Sequence, residues 1–266
     1  MISRNKILRE KTFAVYGLGL TGKSVVKFFK REKIKKYYTW DDSKFIKKNL
    51  AKKKFLKKIY KANYIVISPG INIRKCELSK TLKKNKHKLI TDLDLFYMFN
   101  KGLKSIVVTG TNGKSTTCKI LEHLLKINKY KVELGGNIGK PVLDLNFNKK
   151  KYYIIEASSF QLAYSKFIKP SYAFILNITS DHQDWHQNMR NYINSKFNIF
   201  SLQGKDNYAF IKDTNLIKKF KKEKYSSKLQ IVNNKSYNII KKYIQNEYLK
   251  LGVNDENMSF AYKLSK

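Results

Sequence analysis

Val107-Val108-Thr109-Gly110-Thr111-Asn112-Gly113-Lys114-Ser115-Thr116-Thr117 is the stretch on which the reading of this chain turns. An apolar, β-prone run, Ser105–Val108, enters a glycine turn ending in Gly-Lys-Ser, and a helical pattern follows from Lys114 to about Ile127. Strand, glycine loop and helix in that order make a phosphate loop. Loop N–H groups cradle phosphates, Lys114 neutralises the β- and γ-phosphates, and the Ser115 hydroxyl suits Mg²⁺. The spacing is shorter than the general G-x-x-x-x-G-K-[ST] pattern, because Gly110 stands only three residues before Gly113. The plain alternative is an ordinary Gly-Lys turn, and the strand before and helix after argue against it. Gly110, Thr111, Asn112, Gly113, Lys114, Ser115 and Thr116 are therefore expected to bind ATP.

Working upstream, Phe13–Tyr16, Tyr37–Trp40, Tyr64–Ile67 and the short Leu89-Ile90 read as strands, and Ser24–Phe29 as helix. Downstream, Tyr152–Ile155, Ala173–Leu176 and Tyr208–Ile211 read as strands and Asn191–Phe200 as helix. Strands alternating with helices imply parallel sheets with right-handed crossovers. The pattern restarts around Phe99–Lys104. The expected fold is α/β: a Rossmann-like parallel-sheet domain over residues 1–99, then a P-loop ATPase-like domain over 100–266. Beyond about residue 215 the chain is Lys-rich, with only short alternating segments.

The first domain has its own glycine turn, Gly17-Leu18-Gly19-Leu20-Thr21-Gly22, between a strand and a helix. It fits G-x-G-x-x-G, in which the glycines bring a diphosphate close to a helix N-terminus. Asp41 and Asp42 close the next strand, where an acid accepts hydrogen bonds from a ribose or base. Alone this suggests NAD. No hydride-transfer site follows, whereas an ATP-type loop does, so the turn is read as seating some other nucleotide diphosphate.

The formal charge of +37 first suggests a nucleic-acid or membrane partner. The excess is nearly all Lys, however; Arg4, Arg9, Arg31, Arg74 and Arg190 are the only arginines. Asn, Ile, Tyr and Phe are abundant and Pro is scarce, the bias of an AT-rich genome. Arg is the residue suited to bidentate phosphate and base contacts, and it is not enriched. The lysines are read as solvated faces, with no nucleic-acid partner. Cys76 and Cys118 show no metal-ligand spacing and no disulfide framework. Met1–Thr12 is too polar for a signal peptide, and no apolar run approaches the ~18 residues that span a bilayer. A cytoplasmic monomer without membrane insertion is expected.

Three more polar blocks follow apolar runs. They are Gly135-Gly136-Asn137-Ile138-Gly139, Glu156-Ala157-Ser158-Ser159-Phe160-Gln161-Leu162, and Leu176-Asn177-Ile178-Thr179-Ser180-Asp181-His182. Parallel α/β sheets hold ligands at the carboxyl ends of their strands. Glu156 is a hard oxygen ligand for Mg²⁺; a lone His182 is more often structural. With the short Thr-Gly-Thr-Asn-Gly-Lys-Ser-Thr loop, the chain resembles the Mur ligase and folylpolyglutamate synthetase superfamily. Gly17–Gly22, Ser68-Pro69-Gly70-Ile71, Asp92-Leu93-Asp94-Leu95-Phe96 and the Ser-Ser-Phe-Gln block resemble in particular its D-glutamate-adding branch.

The resemblance implies an ATP-dependent amide ligase of peptidoglycan precursor synthesis, with ATP and Mg²⁺ as cofactors and UDP-N-acetylmuramoyl-L-alanine and D-glutamate as partners. It places Leu20, Thr21, Asp41, Asp42 and Gly70 on the uridine diphosphate, and Asn137, Ser158 and Gln161 on the muramoyl part. Lys114, His182 and Lys196 become catalytic residues. Ser115, Glu156, His182 and Lys196 become metal ligands, Lys196 as a carbamate; composition alone would make it one more solvated lysine. Two departures stand out. In Leu251-Gly252-Val253-Asn254-Asp255-Glu256-Asn257 the family's His is replaced by Val253, beside the adenine-contacting Asn254. The family's C-terminal amino-acid-binding domain is not in these 266 residues, so the chain is expected to be an inactive fragment.

Overall fold

The computed structural model describes residues 4–43 and 48–266; Met1–Ser3, at the start of the stretch judged no signal peptide, lie outside them. Contacts divide the chain into two compact units. The first is Met1–Lys101 with two later segments, Pro141–Asp144 and Phe160–Phe167. The second is Gly102–Lys140, Leu145–Ser159 and Ile168–Lys266.

The first unit is built on four parallel strands, β1 (Phe13–Tyr16), β2 (Tyr37–Trp40), β3 (Tyr64–Ile67) and β4 (Leu89–Ile90), in the order β2-β1-β3-β4. Every residue of β1 is buried, as a central strand covered on both faces requires. One face packs Trp40, Phe55, Ile59 and Leu82; on β1, Phe13 meets Phe29 of the Leu20–Arg31 helix, ring centroids 4.8 Å apart. The Asp92–Phe99 helix starts with a capping box, Thr91 and Asp94 each accepting from the other's backbone N–H. The returning segment Phe160–Phe167 is tied to it by Gln161 Nε2, which donates to both Asp92 oxygens (3.1 and 3.2 Å), and by the amides of Lys166 and Phe167, which donate to Asp94 (2.7 and 2.6 Å).

The second unit is a six-stranded parallel sheet. Its strands are β5 (Lys104–Thr109), β6 (Val132–Gly136), β7 (Tyr152–Glu156), β8 (Tyr172–Ile175), β9 (Tyr208–Ile211) and β10 (Lys228–Ile231), ordered β10-β9-β8-β5-β7-β6. The α/β expectation holds in both units. β6 and β10 are the strands the sequence did not announce. They are the two edges, and Val-Glu-Leu-Gly-Gly and Lys-Leu-Gln-Ile lack the continuous apolar run of a buried strand. The helix expected over Asn191–Phe200 starts earlier, at Met189, because the Asn188 side chain caps it by accepting from the Asn191 amide; it ends at Phe197 and tightens into a 3₁₀ turn over Asn198–Phe200. β5 is flanked by β7 and β8, so the loops after Thr109, Glu156 and Ile175 open side by side.

Candidate nucleotide and metal site

The loop after β5 takes its shape from one glycine. Gly113, at φ +78°, caps the Lys114–Ile127 helix in the left-handed region that favours glycine. A Cβ there would also fall 2.2 Å from Asn257 Oδ1. The Lys114 ammonium folds back over the loop, donating to the carbonyls of Gly110 (3.0 Å) and Thr111 (2.7 Å). The first N–H groups of a helix have no partner within it, which leaves the amides at Lys114–Thr116 aimed where an anion is favoured. Those of Thr111 and Asn112 are bonded instead to Asn177, just past β8: Thr111 N to its carbonyl and Asn112 N to its Oδ1, both at 2.9 Å.

At the end of β7 Glu156 is only 2 % exposed. Ser115 Oγ donates to its Oε2 (2.7 Å) and Asn137 Nδ2 to its Oε1 (2.8 Å). Ser115, Glu156 and Asn137, read from three separate motifs, thus form one oxygen-rich cluster beside the loop. Among the described residues no three His, Cys, Asp or Glu side chains are grouped to hold a metal; a cation here would draw on Ser115 and on phosphate oxygens as well as Glu156. Those hard donors fit Mg²⁺.

Lys196 overturns the compositional expectation of a solvated lysine. It is 1 % exposed, donates to the Gly110 carbonyl at 2.9 Å and lies over the Tyr192 ring, 4.5 Å from its centroid. Burial, reinforced by the like charge of Lys114 and opposed by Asp181, lowers its pKa to about 7. Tyr192, one helical turn earlier, was not singled out in the sequence, although i,i+4 spacing puts it on the face of Lys196. Its hydroxyl lies 3.1 Å from Thr111 Oγ1, and its ring 6.3 Å from that of His182. His182 is exposed at φ +50°, with Asp181 Oδ1 3.4 Å from its Nδ1. His186, passed over in the sequence, is buried with Nε2 3.0 Å from Ser159 Oγ.

Asn254 is buried, its amide donating to the Tyr248 carbonyl at 2.7 Å, while Val253 is 76 % exposed. Beside the helix start, Ser115, Thr116, Lys119, His123, Asn246 and Tyr248 help line a cavity of about 520 Å³.

In the first unit, Gly17 is at φ +94° and a Cβ on Gly22 would lie 1.8 Å from the Gly17 carbonyl oxygen, so the turn tolerates only glycine at both places. Ser68 Oγ closes it by donating to Gly17 O (2.9 Å). Leu20 is 71 % exposed, Thr21 half-buried and Gly70 exposed around this turn. Asp41 accepts from the Leu18 amide (2.5 Å) and from Ser43. Asp42 accepts from Tyr16 (2.5 Å) and Trp40 (2.7 Å); burial and then Asp42 push the Tyr16 hydroxyl pKa up. Both aspartates hold the turn and strand end in shape. Ser158 and Gln161 are buried, and Asn137 is exposed.

A glycine-rich loop between strand and helix, with a buried acid on the neighbouring strand, in a chain that also carries a Rossmann-like unit, defines an α/β protein of two units with P-loop architecture. The Mur ligase middle-domain description matches residues 108–264, and that of the MurD-like Mur ligase N-terminal domain matches residues 11–89. The chain belongs to the Mur ligase family. It is 44 % identical over 147 residues to a UDP-N-acetylmuramoylalanine–D-glutamate ligase of Rickettsia bellii, covering 55 % of this chain and 32 % of the relative. With the same-named protein of Rickettsia prowazekii it shares 36 % over 214 residues, 76 % of this chain and 46 % of the relative. The chain thus spans between about a third and about a half of the length of these relatives. The fold is also that of a UDP-N-acetylmuramate:L-alanyl-gamma-D-glutamyl-meso-diaminopimelate ligase from Neisseria meningitides (TM-score 0.50, 13 % identity, 82 % of this chain and 77 % of that one). Among the described residues no helix is long and apolar enough to cross a membrane.

Proposed function

We propose that this chain provides the acceptor-binding and ATP-binding parts of an ADP-forming carboxylate–amine ligase, which joins D-glutamate to UDP-N-acetylmuramoyl-L-alanine in the cytoplasm as a monomer. The observation that carries the reading is the convergence of Lys114 and Lys196 on Gly110, beside the Ser115–Glu156–Asn137 cluster. That arrangement suits phosphoryl transfer to a carboxylate, which depends mainly on positioning and neutralised charge. The D-glutamate step rests on the names of the relatives and on the glycine turn of the first unit. A folylpolyglutamate-type ligase shares the loop but gives no account of that turn.

The L-alanyl carboxylate attacks the γ-phosphorus of ATP, giving an acyl phosphate and ADP. The D-glutamate amine then adds to the acyl carbon, and phosphate leaves. Lys114 exchanges its two carbonyl partners for phosphate oxygens, and the amides at the start of its helix hold the β-phosphate. Thr111, Asn112 and Thr116 shape that cradle. Adenosine takes the cavity beside Thr116, with Asn254 fixing the Tyr248 segment that lines it. Ser115 and Glu156 would hold one Mg²⁺, and His182 and a carbamylated Lys196 would help hold a second; when bound, the ions would supply charge neutralisation at the phosphates. At a pKa of about 7, Lys196 has the neutral amine needed to add to CO₂, forming the N–C bond and releasing one proton. Leu20, Thr21 and Gly70 contact the uridine diphosphate, on a turn that Asp41 and Asp42 shape. Asn137 and Ser158 orient the muramoyl part, and Gln161 acts through Asp92.

Calorimetry on this chain tests the reading. Mg-ADP and UDP-N-acetylmuramoyl-L-alanine should both bind, and NAD should not; tighter binding of NAD would overturn the assignment.

A further inference from the structure

Asn177 holds the phosphate loop through three bonds. Its carbonyl accepts from Thr111 N (2.9 Å), its Oδ1 accepts from Asn112 N (2.9 Å), and its Nδ2 donates to Asn112 O (3.3 Å). The second and third depend on which way the carboxamide points. A flipped Asn177 would set an NH₂ against the Asn112 amide and an oxygen against its carbonyl, so both bonds would become repulsions. Those two bonds favour one orientation, and the Asp255–Ser265 helix reinforces it. Glu256 Oε2 accepts from Asn177 Nδ2 at 2.6 Å. An ionised carboxylate only accepts, so it faces the NH₂ and leaves Oδ1 for the loop. Lys212, just past β9, lies 3.3 Å from Glu256 Oε1 and provides the countercharge. The next residue of the helix reaches the other end of the loop: Thr117 Oγ1 donates to Asn257 Oδ1 (3.1 Å), and that oxygen lies where a Cβ on Gly113 would be.

We infer that Glu256, held by Lys212, is a positioning residue for nucleotide binding: it fixes the orientation of Asn177 and so holds the Thr111–Asn112 segment in its phosphate-accepting conformation. The inference rests on the proposed nucleotide site, but its geometry can be tested separately. Ligand contact is not required of Glu256. Its effect passes through one amide flip to the backbone on which the phosphates sit. Charge-assisted hydrogen bonds of this kind are about twice as strong as neutral ones, and the loop is short enough for one misdirected amide to displace it.

The test uses the full chain with Glu256→Ala, Glu256→Gln and Lys212→Met. It reads the Mg-ADP dissociation constant by calorimetry and Asn112 amide-proton exchange by ¹⁵N NMR. Glu256→Ala should weaken Mg-ADP about tenfold, equivalent to ~1.4 kcal/mol, and speed exchange at Asn112 by a similar factor. Glu256→Gln keeps an acceptor oxygen and should recover most of both, and Lys212→Met should fall between. A merely structural role for Glu256 would lower the melting temperature without singling out Asn112, and Gln would give no rescue; that pattern overturns the inference. If Glu256→Ala does not fold, Lys212→Met alone decides, and unchanged exchange at Asn112 there sinks the idea. If the unaltered chain binds no Mg-ADP, the proposed function fails, while the Asn112 exchange rates still test the positioning role.

Discussion

In the first unit Asp92 and Asp94 lie 2 % and 0 % exposed at the start of the Asp92–Phe99 helix, and in the second Lys196 lies 1 % exposed within the Met189–Phe197 helix. Burial moves all three toward neutrality. It raises Asp92, raises Asp94 to about 6 and lowers Lys196 to about 7. What surrounds them differs. The carboxylates meet donors on several sides: Gln161 for Asp92, and the amides of Thr91, Lys166 and Phe167 for Asp94. They also sit at a helix N-terminus, where negative charge is favoured. Lys196 has one backbone carbonyl, the face of an aromatic ring and the like charge of Lys114. The acids knit Phe160–Phe167 into the first unit. The lysine is held close to neutrality, as its proposed carbamylation would require. Buried charge serves architecture in the first unit and, on the proposed function, chemistry in the second.

The largest effect should come from the cation that presses on Lys196. Lys114→Ala removes the charge proposed to meet the transferring phosphate, and a lost transition-state contact of this type lowers rate by roughly 10²–10³. In an enzyme carrying this sequence, acyl-phosphate formation should fall by that factor with the fold intact, and near-normal turnover rules the role out. The same substitution should raise the Lys196 pKa, because a like charge has gone; ¹³C NMR of labelled lysine reads this directly. A pKa that stays put would mean that burial alone sets it.

Asp94→Ala probes the other side. The amides of Thr91, Lys166 and Phe167 lose their acceptor, a loss on the order of 3 kcal/mol. Urea unfolding followed at Trp40, with Trp185→Phe silencing the second unit, measures it. The pH dependence has a definite sign. Folded Asp94 holds its proton up to a pKa of about 6, against 3.8 for the unfolded group. Its contribution is fully present below pH 3.8 and is lost as pH rises through about 6. Asp94→Ala should remove that part of the slope. An unchanged slope would assign it to Asp92 or other groups.

The two regions also differ in how far they could be read. The Gly17–Gly22 turn, the Gly110–Gly113 loop and the helix from Lys114 were readable because glycine spacing constrains the backbone directly. The buried strands were readable from their apolar runs. The edge strands were not, since the alternation in half-exposed Lys228–Ile231 is only four residues long and does not set it apart from loop. Membership of Phe160–Phe167 in the first unit was hidden because it rests on long-range bonds to Asp92 and Asp94, which local pattern does not encode. Lys196 was picked out only by resemblance, since nothing in its immediate sequence distinguishes a buried lysine from the many exposed ones. Glu256 and Asn177 were missed as partners because they meet only after β8 and the terminal helix have folded.

Replacing Lys196 with Met sharpens the contrast at a smaller scale. The amine is destabilising to bury while charged. Its penalty is complete below the folded pKa of about 7 and vanishes above the unfolded 10.5, so the folded state gains stability across that window as pH rises. Lys196→Met should raise stability below pH 7 and flatten that rise. It should also abolish the carbamate signal that ¹³C-bicarbonate NMR is expected to show in the unaltered chain. No carbamate signal in the unaltered chain would leave Lys196 as an ammonium bonded to Gly110 and refute its proposed role as a ligand.

The smallest effect is expected at Val253, where the family has His. Its side chain is 76 % exposed, and the neighbouring Asn254 is buried and bonded to the Tyr248 carbonyl whatever stands at 253. A substitution on such a surface usually changes stability by no more than about 0.5 kcal/mol. Val253→His should therefore leave the unfolding midpoint almost unmoved. The Asn254–Tyr248 bond already shapes the cavity proposed for adenosine, so the added imidazole should tighten Mg-ADP by less than about threefold, which is under ~0.7 kcal/mol. Tightening of tenfold or more would show that a direct nucleotide contact was lost with the histidine. The second unit would then depend on an exposed side chain that its buried groups do not replace.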